Sequence, residues 1–231
     1  DDGAADPAES QAMLDGLADL GYLRVAATPH HHHALFDTVS ALQIAQGIAG
    51  IEEQRAGRPP RLVPGAEIWF DEHVFDPGAA DALPGFGASR ILLMEFGGQP
   101  GSPPRGFETL VFKLALRSAH VVIAHPERYP AIQRDPGRLE PLRRAGALIQ
   151  VNLLSLVGRY GSAPRAAVWK LLESGAADVA ATDLHRAADL PNVARALDEL
   201  ARWDPAEFVR LVSANPAAIL DGKPEAVSRR E

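Results

Sequence analysis

Five short apolar runs in this chain each end on a side chain that can bind a metal ion or move a proton. His30 follows Leu23–Thr28, and Glu67 stands at the end of Leu62–Ile68, after Pro64-Gly65. Glu95 ends Ile91-Leu92-Leu93-Met94, His125 ends Val121-Val122-Ile123-Ala124, and Asp183 with His185 ends Val179-Ala180-Ala181-Thr182. One such residue is more often a hydrogen-bonded structural group than a ligand. Several on one rim need mutual compensation, because an unpaired buried charge costs several kcal/mol. Divalent cations supply that compensation, and a His/Glu/Asp set without cysteine suits zinc, manganese or iron. Sites of this mixed type do hydrolytic chemistry by activating water and polarising a phosphoryl or carbonyl oxygen. Arg128, three residues past His125, carries a planar fork suited to a phosphate dianion, with a rim salt bridge as the competing reading. The run His30-His31-His32-His33 cannot aim four rings at one point. One or two are expected to be ligands, and the rest to be solvated or near substrate.

Such ends meet only if the strands run parallel. Leu23–Thr28, Leu62–Ile68, Ile91–Phe96, His120–Ala124, Ala147–Val151 and Asp178–Thr182 read as six strands, apolar almost throughout, as in a sheet covered by helices. Helical patterns lie between most of them: Asp37 to about Gln54, Phe107–Ser118, Pro136–Arg144 and Ala163–Ser174. A first helix starts at Asp6-Pro7-Ala8-Glu9, an N-cap followed by Pro and a Glu three residues on, and stops at Gly21. Val193–Arg202, Asp204–Val212 and Asn215–Leu220 close the chain, while residues 69–89 are rich in Gly and Pro without helical spacing. In parallel α/β barrels, catalytic loops gather at the carboxyl ends of the strands.

Composition narrows the chemistry. The chain has 231 residues, 46% hydrophobic and 23% charged, with a formal charge of −7. An acidic balance argues against binding nucleic acid through a global basic field. Zero cysteine removes disulfides, Cys-ligated zinc and a thiolate nucleophile together. No apolar run approaches the roughly 20 residues of a membrane span, and the acidic start is not a signal peptide. No composition shift divides the chain, so 1–220 reads as one domain and 221–231 as a polar tail.

Ala27-Thr28-Pro29-His30, Pro64-Gly65-Ala66-Glu67-Ile68, Glu95-Phe96, Ile123-Ala124-His125-Pro126-Glu127-Arg128-Tyr129 and Thr182-Asp183-Leu184-His185 occur in an order that resembles the bacterial polymerase-and-histidinol-phosphatase (PHP) superfamily. Within it, the chain is similar to the manganese-dependent tyrosine phosphatases of capsule and exopolysaccharide operons. Gln150-Val151-Asn152 with Ser155, Gly158 and Tyr160-Gly161 also resembles that family's signature. The resemblance implies an α/β fold, a distorted (β/α)7 PHP-type barrel with two or three divalent ions, manganese first and zinc or iron as alternatives. It implies Asp2, His30, Glu67, Glu95, His125, Asp183 and His185 as metal ligands and Arg128 as the phosphate-binding arginine. His185 or a His of the 30–33 run, His31 included, would protonate the leaving group.

The implied substrate is phosphotyrosine on the tail of a tyrosine autokinase that controls polysaccharide export, and the implied location of this protein is the cytoplasm. A small-molecule phosphatase of histidinol-phosphate type is the alternative, and a catalytically impaired scaffold is a third. Two features depart from the family. Its first strand carries His-x-His a few residues before Asp-Asp-Gly; this chain starts at Asp1 without an initiator Met, so that strand is expected to be missing and the fragment to have little activity. The arginine that follows the family's last His has Arg186 as its counterpart here, in a different register.

Overall fold

The computed structural model describes residues 2–31, 39–70, 82–96, 103–104 and 106–230. Helix α1, Pro7–Asp19, starts where the capping pattern places it: the Asp6 side chain accepts a hydrogen bond from the Glu9 N–H. Strands β1 (Arg24–Ala27) and β2 (His30–His31) follow, then α2 (Ala41–Arg55), β3 (Arg61–Pro64) and β4 (Glu67–Phe70). The helix expected from Asp37 begins at Ala41, because Ser40 and Gln43 form a reciprocal capping box. Residues 32–38 of that segment lie outside the described residues, as do His32 and His33 and residues 71–81 of the Gly/Pro-rich connection.

Each of the first two expected strands is two strands here. β1 pairs with β3, and β2 pairs with β4 in the same register, so the pair is one ladder interrupted at Thr28-Pro29 and Gly65-Ala66. Pro29 has no N–H for the ladder. At Gly65 a Cβ would lie 3.1 Å from the Phe86 ring and 3.2 Å from the Thr28 methyl, so these side chains pack tightly where glycine has none.

Strands β5 (Ile91–Phe96), β6 (His120–Ala124), β7 (Leu148–Asn152) and β8 (Val179–Ala181) complete a parallel sheet in the order β2-β4-β5-β6-β7-β8. Helices α3 (Phe107–Ala115), α4 (Pro130–Arg134), α5 (Glu140–Arg144), α6 (Leu153–Leu156) and α7 (Ser162–Glu173) lie between them. The expected helix from Pro136 is a 3-10 turn up to Leu139 that becomes helical at Glu140, with Pro141 at its start. After β8 come α8 (Leu190–Trp203), α9 (Pro205–Val209), a π-helical turn at Arg210–Ala214 and α10 (Asn215–Leu220). No helix among the described residues is long and apolar enough to cross a membrane.

Strand alternation sorts side chains to two faces. Leu92, Met94, Val121, Ile123, Ile149 and Val151 join the larger apolar cluster with Leu110, Leu114, Val168 and Leu171 of α3 and α7. Ile91, Leu93, Val122, Leu148 and Val179 form a smaller cluster on the opposite face with Phe86 and Ile219. Glu67 pairs with Leu93, and Glu95 stands two residues beyond it, so both carboxylates belong to that second face. The polar tail is tied down as far as Arg230: Ser228 bonds Asn215, Arg229 donates to the Ala147 carbonyl and faces buried Asp178, and Arg230 lies against Trp203.

Candidate metal centre

Where β2 and β4 begin and β5, β6 and β8 end, one cavity of about 390 Å³ is lined by Asp2, His30, Glu67, Glu95, His125, Asp183 and His185, with Arg128 and Arg186. All seven expected ligands and both expected phosphate-binding arginines share it. His31 does not. The pleat of β2 turns its ring away from His30, and its Nδ1–H donates to the Val39 carbonyl at 2.8 Å. The expectation of a catalytic His31 is therefore corrected: it is a buried ring tied to the start of α2.

Glu67 is central and 6% exposed. Its Oε1 lies 2.8 Å from His125 Nε2, and its Oε2 lies 3.8 Å from His30 Nε2. Burial opposes the Glu67 charge, but the neighbouring His125, His30 and Arg128 outweigh it and hold the carboxyl below its ordinary range. Burial likewise opposes charge on His125, yet Glu67 and Asp183 raise that imidazole to about 9. The two form an ion pair, each sustaining the other's charge. Glu95 has less help, and burial pushes its carboxyl up.

Two overlapping trios bring ligand atoms within 4.8 Å of one another: His30, Glu67 and Glu95, and Glu67, His125 and Asp183. The donors are imidazole nitrogens and carboxylate oxygens only, which fits borderline and hard divalent cations. His185 is set for the same role, since its Nδ1–H donates to the Asp183 carbonyl at 2.9 Å and leaves Nε2 as the lone-pair nitrogen, 3.2 Å from Asp2 Oδ1. Asp2 Oδ1 is also 3.5 Å from His30 Nδ1.

Backbone conformation aims two of these groups. His125 has φ +31° and Asp183 φ +46°, left-handed values that cost a non-glycine residue roughly 1–2 kcal/mol each. Arg128 sits on the 3-10 turn Pro126–Arg128 that follows His125. One Arg128 Nη1–H donates to Asp183 Oδ2 at 3.2 Å, and its guanidinium carbon stands 4.7 Å over the Tyr160 ring. Burial works against its charge, but the carboxylates around it raise its pKa further.

Residues that had only a place in a motif acquire contacts here. Glu127 is fully buried, and its Oε1 accepts from the Asn152 N–H at 3.0 Å and the Ser155 hydroxyl at 2.7 Å. Burial pushes its carboxyl up, with the Ser155 bond acting against this. Asn152 Nδ2 donates to Asp183 Oδ2 at 2.8 Å. On the rim, Arg159 makes a paired contact with Asp189 that spacing gave no hint of. The presence of Gln-Val-Asn and Tyr-Gly beside the ligands was the available signal for Asn152 and Tyr160.

The chain is similar to known proteins over most of its length. The family described as "Capsular polysaccharide synthesis, CpsB/CapC" matches residues 1–221. The tyrosine-protein phosphatase YwqE of Bacillus subtilis (strain 168) is 31% identical over 186 residues, spanning 80% of this chain and 72% of that protein. The putative tyrosine-protein phosphatase CapC of Staphylococcus aureus is 27% identical over 192 residues, spanning 83% of this chain and 74% of that one. A solved chain from a crystallographic study of YwqE from Bacillus subtilis and CpsB from Streptococcus pneumoniae, described there as unique metal-dependent tyrosine phosphatases, matches with a TM-score of 0.88 and 27% identity. It covers 100% of this chain and 92% of that chain.

Proposed function

We propose a function from one premise: the chain belongs to the CpsB/CapC family of capsular polysaccharide synthesis. It is a metal-dependent tyrosine phosphatase, hydrolysing the phosphomonoester of protein phosphotyrosine. The observation that carries this reading is the convergence of seven His, Asp and Glu side chains and Arg128 on one cavity, in a chain without a thiol.

The metal we assign is manganese, two or three ions held by Asp2, His30, Glu67, Glu95, His125, Asp183 and His185. Bound there, divalent cations supply Lewis acidity toward the phosphoryl oxygens and lower the pKa of water. The chain's own residues do the rest. Arg128 has five N–H donors and commits one to Asp183, so its fork can also hold phosphoryl oxygens as charge develops on them. The leaving phenolate oxygen needs little help because phenolate leaves readily, and His185, with its Nδ1–H on the Asp183 carbonyl and Nε2 kept for metal, serves as a ligand rather than as the acid. Arg186, exposed on the rim, holds a second face of the phosphate or an acidic residue of the peptide.

The substrate we assign is the phosphorylated tail of a tyrosine autokinase, which places the enzyme in the cytoplasm. The fold we assign is a PHP-type barrel of seven strands, with a strand from outside these residues set between β1 and β8. A cleft of about 520 Å³ supports this, lined by Leu17, Val25, Ile48 and Leu62 on one side and Ala181 and Leu184 on the other, with His30 and His185 at its polar end.

Hydrolysis of a phosphotyrosyl peptide after loading with Mn²⁺, with and without chelator, tests the reading. It is run on this chain and on a version extended upstream by a strand bearing His-x-His. Turnover that needs metal, and is greater in the extended form, is expected. Absence of bound metal in both forms, or full activity in Glu95→Gln and Asp183→Asn, would overturn it. Turnover of small phosphomonoesters alone would move the substrate class to a small molecule.

A further inference from the structure

We infer that Asn152 is a positioning residue that sets Asp183 and the Arg128–Tyr160 pair for the reaction proposed above, on which the inference rests. Asn152 ends β7 and is 1% exposed. Its amide is aimed forward by bonds from behind: its backbone N–H donates to Glu127 Oε1 at 3.0 Å, and its Oδ1 accepts from the Leu154 N–H at 2.8 Å. Glu127 is itself held by Ser155, and its carbonyl accepts from Gln133 Nε2 at 2.9 Å.

Both Nδ2 hydrogens then point into the pocket. One goes to Asp183 Oδ2 at 2.8 Å, and the other to the Tyr160 hydroxyl at 3.3 Å. Asp183 Oδ2 also takes the Arg128 Nη1–H, and the Tyr160 ring supports the Arg128 guanidinium from below. One neutral side chain thus fixes the carboxylate of a candidate ligand and, through two routes, the arginine that faces phosphate. Asp183 holds a left-handed backbone with φ +46°, so its side chain depends on such a partner to keep its direction.

The side chain required is specific. Aspartate would keep the acceptor for Leu154 but lose both donors and set a second carboxylate against Asp183. Serine would also keep a neutral cap for Leu154 and be too short to reach Asp183. These two variants therefore separate positioning from the local cap. Loss of a group that orients a metal ligand typically weakens metal affinity about 10–100-fold. Mn²⁺ affinity is measured by calorimetry on the full chain, inorganic phosphate supplies an inhibition constant, and thermal unfolding serves as the folding control.

Asn152→Ser is expected to keep the parent's melting temperature within a few degrees, weaken Mn²⁺ binding about tenfold and weaken phosphate inhibition in parallel. Asn152→Asp is expected to lose more of both. Folded variants that bind Mn²⁺ and phosphate within twofold of the parent would overturn the role and leave the phosphatase reading standing. A parent that binds Mn²⁺ without hydrolysing phosphotyrosine would sink that reading, while the loss of Mn²⁺ affinity in Asn152→Ser would still support the positioning role. Absence of Mn²⁺ binding in the parent, both as this chain and with the upstream strand, would overturn both.

Discussion

The two sides of the cavity are held by different forces. On one side, Arg128 and Asp183 are braced by the Asn152 amide and by the Tyr160 ring, which are groups without formal charge. On the other, buried His125 and Glu67 meet as an ion pair at 2.8 Å, with the His30 ring 3.5–3.8 Å from the Asp2 and Glu67 carboxylates. An amide or a ring face has no proton to lose near neutral pH, so the bracing these groups give the Arg128–Asp183 ion pair does not depend on their own ionisation. Charge pairs keep their geometry only while each partner stays ionised or is matched by a cation. The phosphate-facing side is thus built into the fold, and the histidine side responds to protons and metal.

The largest break in this comparison comes from Glu67→Gln. It removes the one carboxylate common to both ligand trios and leaves buried His125 without its ion-pair partner. Turnover is expected to fall to background with Mn²⁺ affinity lost. In the metal-free variant, burial then acts on His125 with less opposition, so its pKa should drop from about 9 toward or below its ordinary value. Imidazole titration followed by NMR checks this, and an unchanged His125 would mean that another group supplies the countercharge.

The braced side fails differently. Arg128→Ala is expected to lower kcat/KM by about 10²–10³-fold, the range for removing one donor to developing charge, while Mn²⁺ still binds. Arg128→Lys should recover only part of this, because a point charge cannot donate in a fork or lie flat on Tyr160 in the same way. Steady-state kinetics beside metal calorimetry separate the two sides: parallel loss of metal and turnover in Arg128→Ala would show that they are not independent.

Next in size is the pH response of the metal-free protein. His125 has a folded pKa of about 9 against about 6.5 unfolded, so it binds a proton more tightly when folded. Its contribution, on the order of 3 kcal/mol, is fully present below pH 6.5 and is lost as pH rises through about 9. Melting temperature of the chelated protein should fall over that window. A cation binding at His125 near pH 7.5 must displace this proton, so calorimetry in buffers of different ionisation heat should show about one proton released. No release would place the metal elsewhere.

Much of this division can be traced to the sequence, and the untraced part has physical causes. His30, Glu67, Glu95, His125 and Asp183 were legible because each follows an apolar strand, and the parallel order of those strands puts their ends on one rim. The breaks at Pro29 and Gly65 were hidden because apolar content continues through them, while the packing of the Phe86 ring against Gly65 is a contact between residues distant in sequence. His31 was misplaced because a run of four histidines carries no face information until the strand's pleat is known. The bracing side was least visible. Asn152 and Asp183 are 31 residues apart and meet only through the register of β7 with β8. The tail read as polar and aperiodic, and its order comes from single side chains such as Arg229 reaching carbonyls of distant turns.

The smallest effect bears most directly on how the braced side works. Tyr160 contributes a hydroxyl to Asn152 at 3.3 Å and a ring to Arg128 at 4.7 Å. The bond is long for an O–H and N–H pair, and Asn152 keeps Asp183 without it. A cation–π contact at a partly exposed site contributes about 0.5–1 kcal/mol, or roughly 2–5-fold in binding. Tyr160→Phe should therefore leave KM for a phosphotyrosyl peptide within about twofold, whereas Tyr160→Leu should raise it by roughly 2–5-fold with little change in Mn²⁺ affinity. If Phe and Leu raised KM equally, the hydroxyl rather than the ring would hold Arg128. The bracing would then run wholly through Asn152, and the rim would need no aromatic residue at this position.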